Sequence, residues 1–205
     1  MGFYSNVLFP ALLDKVMSTG QMHKARHALL SNAQGTVFEI GFGTGLNLQH
    51  YPETVSEITT ADINPGMNKR ALQRIAESPI KVDHNVINGE SLPFEDESFD
   101  TVVCTWTLCS IKNVDAALQQ VRRILKPKGK FLFVEHGLAD DPKVQKWQHR
   151  LNPLQQRIGD GCNLNRNMKE LIQDNHFSFD TMDTFYMPKS PRFAGFMYQG
   201  IASKA

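Results

Sequence analysis

The chain has 205 residues, of which 41% are hydrophobic, and its formal net charge at neutral pH is +1. This length and composition predict one globular domain with a full hydrophobic core. The near-neutral charge gives no electrostatic reason to expect a nucleic-acid partner, and no apolar run approaches the roughly 20 residues of a transmembrane segment.

Two helices are predicted to precede the main fold, so that residues 1–34 form an N-terminal helical arm. The apolar residues of the first helix recur at helical spacing and are Val7, Leu8, Leu12, Leu13, Val16 and Met17. The second helix spans 22–30, and the residues outside its apolar stripe include Lys24, Arg26 and His27. The arm either packs on the domain or acts as a lid over a ligand, in which case Tyr4 reaches into the site.

Strands and helices alternate between residues 36 and 136. The predicted strands, rich in β-branched and apolar residues, span 36–40, 57–62, 82–87, 99–105 and 130–135. The predicted helices span 45–51, 64–76 and 115–125, and a turn is predicted at 126–129. Alternation with short connections predicts an α/β fold in which a parallel sheet carries helices on both faces.

The end of the chain follows a different pattern. Residues 137–165 carry prolines and many polar groups, and we predict an insertion there with a helix around 142–157. Residues 166–205 are predicted to add one helix, at 168–175, and a closing hairpin. The hairpin strands are predicted at 177–185 and 193–203. The sheet is then seven-stranded and mostly parallel.

A glycine-rich loop, with Gly41, Gly43 and Gly45, follows the first predicted strand. Glycines at this spacing let the backbone turn sharply and approach a ligand, and the helix predicted next presents unpaired N–H groups to it. A dinucleotide-binding loop would place a glycine at position 46, where this chain has Leu46. The pattern predicts a cofactor loop and disfavours a nicotinamide dehydrogenase.

Two carboxylates accompany this loop. Glu39 lies in the first predicted strand, and Asp62 ends the second, where an acidic side chain suits ribose hydroxyls. Pyrophosphate would repel a carboxylate at Glu39, whereas a sulfonium and an amino group would attract it. Because such sheets bind ligands at the carboxyl ends of their strands, we expect one cleft lined by the segments that follow each strand. These segments are 41–45, Asp62, 88–90, 105–109 and 135–136.

Five motifs occur in the order typical of one enzyme family. They are Glu39-Ile40-Gly41-Phe42-Gly43-Thr44-Gly45, Asp62, Asn88-Gly89-Glu90-Ser91-Leu92-Pro93-Phe94, Ser98-Phe99-Asp100-Thr101-Val102-Val103 and Leu125-Lys126-Pro127-Lys128-Gly129. Over residues 36–136 the chain resembles the class I S-adenosylmethionine-dependent methyltransferases, in the type 11 subgroup that includes ubiquinone/menaquinone-biosynthesis enzymes. The resemblance implies a Rossmann-like fold that binds S-adenosylmethionine and releases S-adenosylhomocysteine.

Three further segments extend the resemblance to nearly the whole chain. Residues 103–113, Glu135-His136 and 160–166 are similar to the methyltransferase-like family of alkyl thiol methyltransferases. This resemblance implies methyl transfer to a small-molecule acceptor, with a thiol as the leading class. A quinone, amine or lipid-like acceptor stays an alternative, as does a non-catalytic S-adenosylmethionine-binding module.

The resemblance also implies contacts with the methionine and ribose parts of the cofactor. Gly41, Gly43 and Gly45 would cradle these parts. Glu39 would hold the amino end, and Asp62 would bind the ribose hydroxyls.

Further implied contacts lie along the cofactor. Ile63 would pack on the adenine, Gly89 would donate its N–H to the ring, and Asn88 would accept from the adenine amino group in place of the family's usual aspartate. The remaining implied cofactor contacts are Asn47, Glu90, Thr105 and Leu108.

The acceptor side has three candidate groups besides Tyr4. His136 follows the fifth predicted strand and is the candidate general base, with a structural hydrogen bond as the alternative role. Cys109 and Cys162 are candidate substrate contacts. Apolar packing is the simpler role for both cysteines, because methyl transfer to a thiol of pKa near 8.5 requires no protein thiolate.

The cysteine content indicates the compartment. The three cysteines, Cys104, Cys109 and Cys162, show no Cys-x-x-Cys spacing. Their number and spacing favour a reduced, cytoplasmic protein without a metal site. The sequence makes no prediction of oligomeric state.

Overall fold

The computed structural model describes residues 9–64 and 68–205, so the predicted start of the third helix falls partly outside the described residues. Six helices are described: α1 Phe9–Met17, α2 Gly20–Leu30, α3 Asn68–Glu77, α4 Val114–Ile124, α5 Pro142–Ile158 and α6 Met168–Asp174. Seven strands are described: β1 Val37–Ile40, β2 Glu57–Ala61, β3 Lys81–Asn85, β4 Phe99–Thr105, β5 Leu125–His136, β6 Phe177–Tyr186 and β7 Phe196–Lys204. None of the described helices is long and apolar enough to cross a membrane.

All seven strands form one sheet in the order β3-β2-β1-β4-β5-β7-β6. Strands β1 to β5 pair in parallel, and β7 runs antiparallel to both β5 and β6. This confirms the predicted seven-stranded, mostly parallel sheet. The strand order reverses between β1 and β4, which creates the crevice where α/β sheets bind ligands.

Side chains alternate across the sheet and build one core on each face. On one face Phe38 packs in a cluster with Leu118 of α4 and Met168 of α6. On the other face Val37 packs in a cluster with Leu30 of α2 and with α3. The helices therefore cover both faces, as the alternating sequence pattern predicts.

The prediction of a helix at 45–51 is wrong. The structure has only a short 3-10 turn, Leu48–His50, after the glycine loop. Gly45 has a left-handed φ of 79°, and Tyr51 before Pro52 is extended, with φ −66° and ψ 144°. These two residues leave too little chain for an α-helix, so no helix N-terminus faces the ligand from this loop.

The turn predicted at 126–129 is part of β5, which begins at Leu125. The β4–β5 register runs from Phe99 opposite Leu125 to Thr101 opposite Lys130, so the extra residues of β5 form an irregularity in the ladder. A Pro-Lys-Gly segment resembles a turn in sequence, and only the pairing with β4 reveals it as a bulged strand.

Candidate active site

A cavity of about 580 Å³ opens at the carboxyl edge of the parallel strands. The predicted site residues that line it are Gly41, Gly43, Asn47, Asp62, Ile63, Asn88, Gly89, Glu90, Thr105, Cys109, His136 and Cys162. Glu39, Gly45 and Leu108 are buried behind its wall, and Tyr4 lies outside the described residues. Segments following five different strands therefore share one cavity.

The glycine loop approaches the cavity through left-handed backbone. Gly41 has φ 76° and Gly43 has φ 59°. A Cβ on Gly41 would lie 2.0 Å from Oγ1 of Thr107, whereas a Cβ on Gly43 would meet no atom closer than 4.0 Å. Gly41 is thus required for close packing against the loop after β4, and Gly43 leaves open space beside the cavity.

Asp62 follows β2 and closes one end of the cavity. Its Oδ2 accepts a hydrogen bond of 2.7 Å from the N–H of Gly43, and its Oδ1 accepts one of 2.8 Å from the N–H of Asn64. Burial raises the pKa of Asp62, although both backbone donors favour its charged form. The carboxylate is therefore held in a fixed orientation toward the cavity beside the half-exposed Ile63.

A buried polar chain connects α2 with β1 behind the loop. The Nε of Arg26 donates to Oδ1 of Asn47 at 2.9 Å, and Nδ2 of Asn47 donates to Oε1 of Glu39 at 2.9 Å and to Oγ1 of Thr105 at 3.0 Å. The hydroxyl of Tyr51 donates to the other oxygen of Glu39 at 2.6 Å. Glu39 therefore does not line the cavity, and its charge reaches a ligand there only through the side chain of Asn47.

Arg26 has a position that the helical pattern did not predict. Its side chain is only 4% exposed, lines the cavity and lies over the Trp106 ring at 4.7 Å. Its position outside the apolar stripe predicts an exposed side chain, and this prediction is wrong. Hydrogen bonds in the chain to Asn47 and Glu39 compensate the burial of the charged group.

The N-terminal arm forms part of the cavity wall. Asp14 of α1 accepts hydrogen bonds from Oγ1 of Thr44 at 2.6 Å and from Nη1 of Arg74 at 2.7 Å. Arg74 also donates to the backbone oxygen of Thr44. These contacts hold α1 against the glycine loop, so the arm packs on the domain and lines the cavity. Movement of the arm as a lid stays a prediction.

Glu135, at the end of β5, orients the loop after β4. It is fully buried, and its Oε1 accepts hydrogen bonds from the N–H groups of Thr107 at 2.7 Å and Leu108 at 3.0 Å. Burial raises the pKa of this carboxyl. Leu108 contributes to the site through its backbone, while its side chain packs in the core.

Two cysteines meet a histidine in the lining of the same cavity. The Nε2 of His136 lies 3.1 Å from Sγ of Cys162, which lies 3.6 Å from Sγ of Cys109. Contact with the Cys109 sulfur, together with burial, holds the pKa of the Cys162 thiol well above its ordinary value. The Cys162 thiol is therefore protonated at neutral pH where it contacts the imidazole.

Comparison with known proteins agrees with this geometry. A family model described as "Methyltransferase domain" matches residues 38–133. The human thiol S-methyltransferase TMT1A is 35% identical over 184 residues, covering 83% of this chain and 75% of TMT1A. The chain belongs to this methyltransferase family. Like its relatives, it is an S-adenosylmethionine-dependent methyltransferase, which confirms the family resemblance.

Two further comparisons support the assignment of this methyltransferase. The rat thiol S-methyltransferase TMT1B is 37% identical over 149 residues, covering 70% of this chain and 60% of TMT1B. The chain thus spans less than two thirds of that relative. A crystal structure of a SAM-dependent methyltransferase from Methanosarcina mazei matches this chain with a TM-score of 0.66 at 22% sequence identity. The match covers 87% of this chain and 95% of the Methanosarcina mazei chain. That likeness confirms the fold.

Two residues of the methyltransferase site were missed in the sequence, Arg26 and Asp14, because they lie on helices whose patterns only indicate packing. Glu135 was predicted to line the cleft as part of the segment 135–136. The structure instead buries Glu135 behind the cavity lining, where it holds the loop after β4.

Proposed function

We propose that this methyltransferase transfers the methyl group of S-adenosylmethionine to the sulfur of a small-molecule thiol. The observation that carries the proposal is a single cavity lined by two chemically distinct groups of residues. One group is the glycine loop with Asp62, and the other is the cluster of Cys109, His136 and Cys162. Bound S-adenosylmethionine supplies an activated methyl group, so the protein has to position two reactants and exclude water.

The glycine loop and the residues around it carry groups suited to each part of the cofactor. Asp62 offers an oriented carboxylate for the ribose hydroxyls, and Ile63, 56% exposed, offers an apolar surface for the adenine. Arg26 presents a guanidinium suited to the methionine carboxylate, and Asn47 presents the charge of Glu39 indirectly. These features support the implied cofactor contacts.

The lining around the cysteine–histidine cluster suits a small apolar acceptor. Leu164, two residues after Cys162, and Met197, paired with His136 in the β5–β7 ladder, both line the cavity. An apolar wall favours an uncharged acceptor body and keeps water from the reacting sulfur. The names of TMT1A and TMT1B as thiol S-methyltransferases favour a thiol over a quinone, amine or lipid-like acceptor.

An acceptor panel tests the proposal. Alkyl thiols, phenols and amines of matched size are incubated with S-adenosylmethionine, and release of S-adenosylhomocysteine is measured. We expect kcat/KM for the thiols to exceed that for the phenols by about tenfold or more, since the thiol ionises more readily. Turnover of a phenol or amine with no turnover of any thiol would assign a different acceptor, and no turnover at all would indicate a non-catalytic binding module.

Glu39 predicts how cofactor binding depends on pH. Burial raises the pKa of Glu39 to about 7, against the opposing hydrogen bonds from Tyr51 and Asn47. The cationic cofactor favours the charged carboxylate, so binding should release a proton and should tighten as pH rises from about 6 to about 8. Calorimetry in two buffers of different ionisation enthalpy measures the proton. Glu39→Gln should abolish the release, while the exposed control Glu53→Gln should keep it.

The same shift predicts the stability of the ligand-free protein. The pKa of Glu39 is higher in the folded protein than in the unfolded chain. Protonated Glu39 therefore stabilises the fold fully below about pH 4.5, and this contribution is lost as pH rises through about 7. The full difference is about 3 kcal/mol. Urea unfolding should therefore show that Glu39→Gln gains stability relative to the wild type between about pH 5 and about pH 8. Parallel pH profiles for both proteins would contradict the assigned shift.

A further inference from the structure

Three metal-ligating side chains converge on the cavity wall from separate parts of the fold. Cys109 lies in the loop after β4, His136 ends β5, and Cys162 follows α5. Their sulfur and imidazole nitrogen atoms all lie within 4.8 Å of one another. Each of the three also lines the 580 Å³ cavity, so a ligand bound to them would face the proposed acceptor space.

We propose that Cys109, His136 and Cys162 bind a zinc ion whose fourth position takes the acceptor thiol. This rests on the proposed function and deepens it by assigning the group that ionises the acceptor. Two thiolates and one imidazole form a donor set that zinc uses in catalytic sites, where three protein ligands leave one position open. Thiolate ligands also favour zinc over magnesium or calcium.

The distances fit a tetrahedral ion. Zinc–sulfur bonds of about 2.3 Å and zinc–nitrogen bonds of about 2.1 Å place ligand atoms about 3.6–3.8 Å apart. The observed separations are 3.6 Å between the two sulfurs and 3.1 Å between Nε2 of His136 and Sγ of Cys162. Nε2 of His136 and Sγ of Cys109 lie within 4.8 Å of each other. Ion binding thus requires the closer pair to open by about 0.5 Å and the His136–Cys109 pair to close by at most about 1.2 Å.

The surroundings of His136 also fit coordination through Nε2. Its Nδ1 is buried and has no hydrogen-bond partner in the described part of the chain, and Oε2 of the adjacent Glu135 has none either. With Nε2 bound to zinc, the imidazole proton would sit on Nδ1, because a neutral imidazole carries one proton and the coordinating nitrogen must be free of it.

The step balances without a further reactant. Cys109 and Cys162 would lose their thiol protons to solvent when zinc binds. The acceptor thiol would then take the open position and lose its own proton to solvent. A lone pair on that sulfur then forms the new carbon–sulfur bond to the methyl group, and the sulfonium carbon–sulfur bond breaks, returning its electron pair to the cofactor sulfur. The products are S-adenosylhomocysteine and a neutral thioether, which binds zinc weakly and leaves.

Metal titration of the full chain, kept reduced with a phosphine, tests the site. We expect the wild type to bind one zinc ion per chain in calorimetry. Changes beside metal ligands already cost about 10–100-fold in metal affinity, so the double variant Cys109→Ser/Cys162→Ser should lose more than about 100-fold. The matched control Cys104→Ser changes the third cysteine, which does not belong to the three-residue cluster, and should bind zinc as the wild type does. The serine hydroxyl can keep the hydrogen bond that the Cys104 thiol makes to Glu135.

Cobalt(II) gives a second readout that does not depend on any variant folding. The cobalt-loaded wild type should show a thiolate-to-metal charge-transfer band, and addition of an alkyl thiol in the absence of S-adenosylmethionine should change that band. Absence of the band, or equal zinc binding by the double variant, overturns the site. If neither metal binds but thiols are still methylated, the zinc proposal fails and the proposed function stands. If metal binds through sulfur but no thiol is methylated, the site stands and the proposed function fails.

Discussion

Replacing Asp62 by alanine is expected to weaken S-adenosylmethionine binding by about 100-fold. The carboxylate is held by the N–H groups of Gly43 and Asn64 and faces the cavity, so it is oriented before the ligand arrives. Hydrogen bonds to a charged group contribute about 1.5–3 kcal/mol each. Loss of the ribose contacts should therefore cost about 3 kcal/mol, or about 100-fold in the dissociation constant measured by calorimetry.

Two variants make the Asp62 result specific. Asp62→Asn keeps one acceptor oxygen and should show an intermediate loss, while Asp83→Ala, an exposed aspartate on β3, should bind as the wild type does. Thermal unfolding of each variant separates a binding loss from a folding loss. A dissociation constant for Asp62→Ala within about twofold of the wild type would show that the ribose assignment is wrong.

Replacing Gly41 by alanine is expected to destabilise the protein by about 3 kcal/mol and to disrupt cofactor binding. The added methyl group would overlap Oγ1 and Cγ2 of Thr107, at 2.0 and 2.3 Å, and alanine would have to adopt φ 76°. Left-handed backbone costs about 1–2 kcal/mol for a residue with a Cβ, and overpacking costs about 1–3 kcal/mol more. Urea unfolding measures the stability, and calorimetry measures the binding.

A cycle of variants separates the two costs at Gly41. Thr107→Gly removes the three atoms nearest to the new methyl group, so Gly41→Ala in that background should retain mainly the backbone cost of about 1–2 kcal/mol. Gly20→Ala, where a Cβ meets nothing within 4 Å, should leave stability unchanged or slightly raised. Equal losses in both backgrounds would show that the clash with Thr107 contributes nothing.

Much of the fold followed from local patterns. Alternating strands and helices predicted the sheet, and the antiparallel end strands followed from two late β-rich runs. The two failures are confined to short segments that resemble a helix and a turn in isolation. At 45–51 the cause is local, because Tyr51 before Pro52 is extended. At 126–129 the cause is non-local, because pairing with β4 overrides the turn pattern.

Within the site, the sequence predicted the residues that lie at or just after the end of a strand. Gly41, Gly43, Asp62 and His136 follow strands directly, and topology alone brings them to one edge of the sheet. Arg26 was not found, because a buried arginine depends on a partner from another element. Glu39 was identified as a carboxylate for a cationic ligand, but its position behind Asn47 was not.

The order and spacing of motifs along the chain were enough to identify the methyl donor and the sheet, because both depend on short segments whose chemistry is local. The acceptor side required the folded chain. Neighbouring members of the group Cys109, His136 and Cys162 are 26 residues or more apart along the sequence. They therefore form no short metal-binding motif that the sequence alone would show. Their sulfur and nitrogen atoms meet because β4, β5 and the segment after α5 end at the same edge of the sheet.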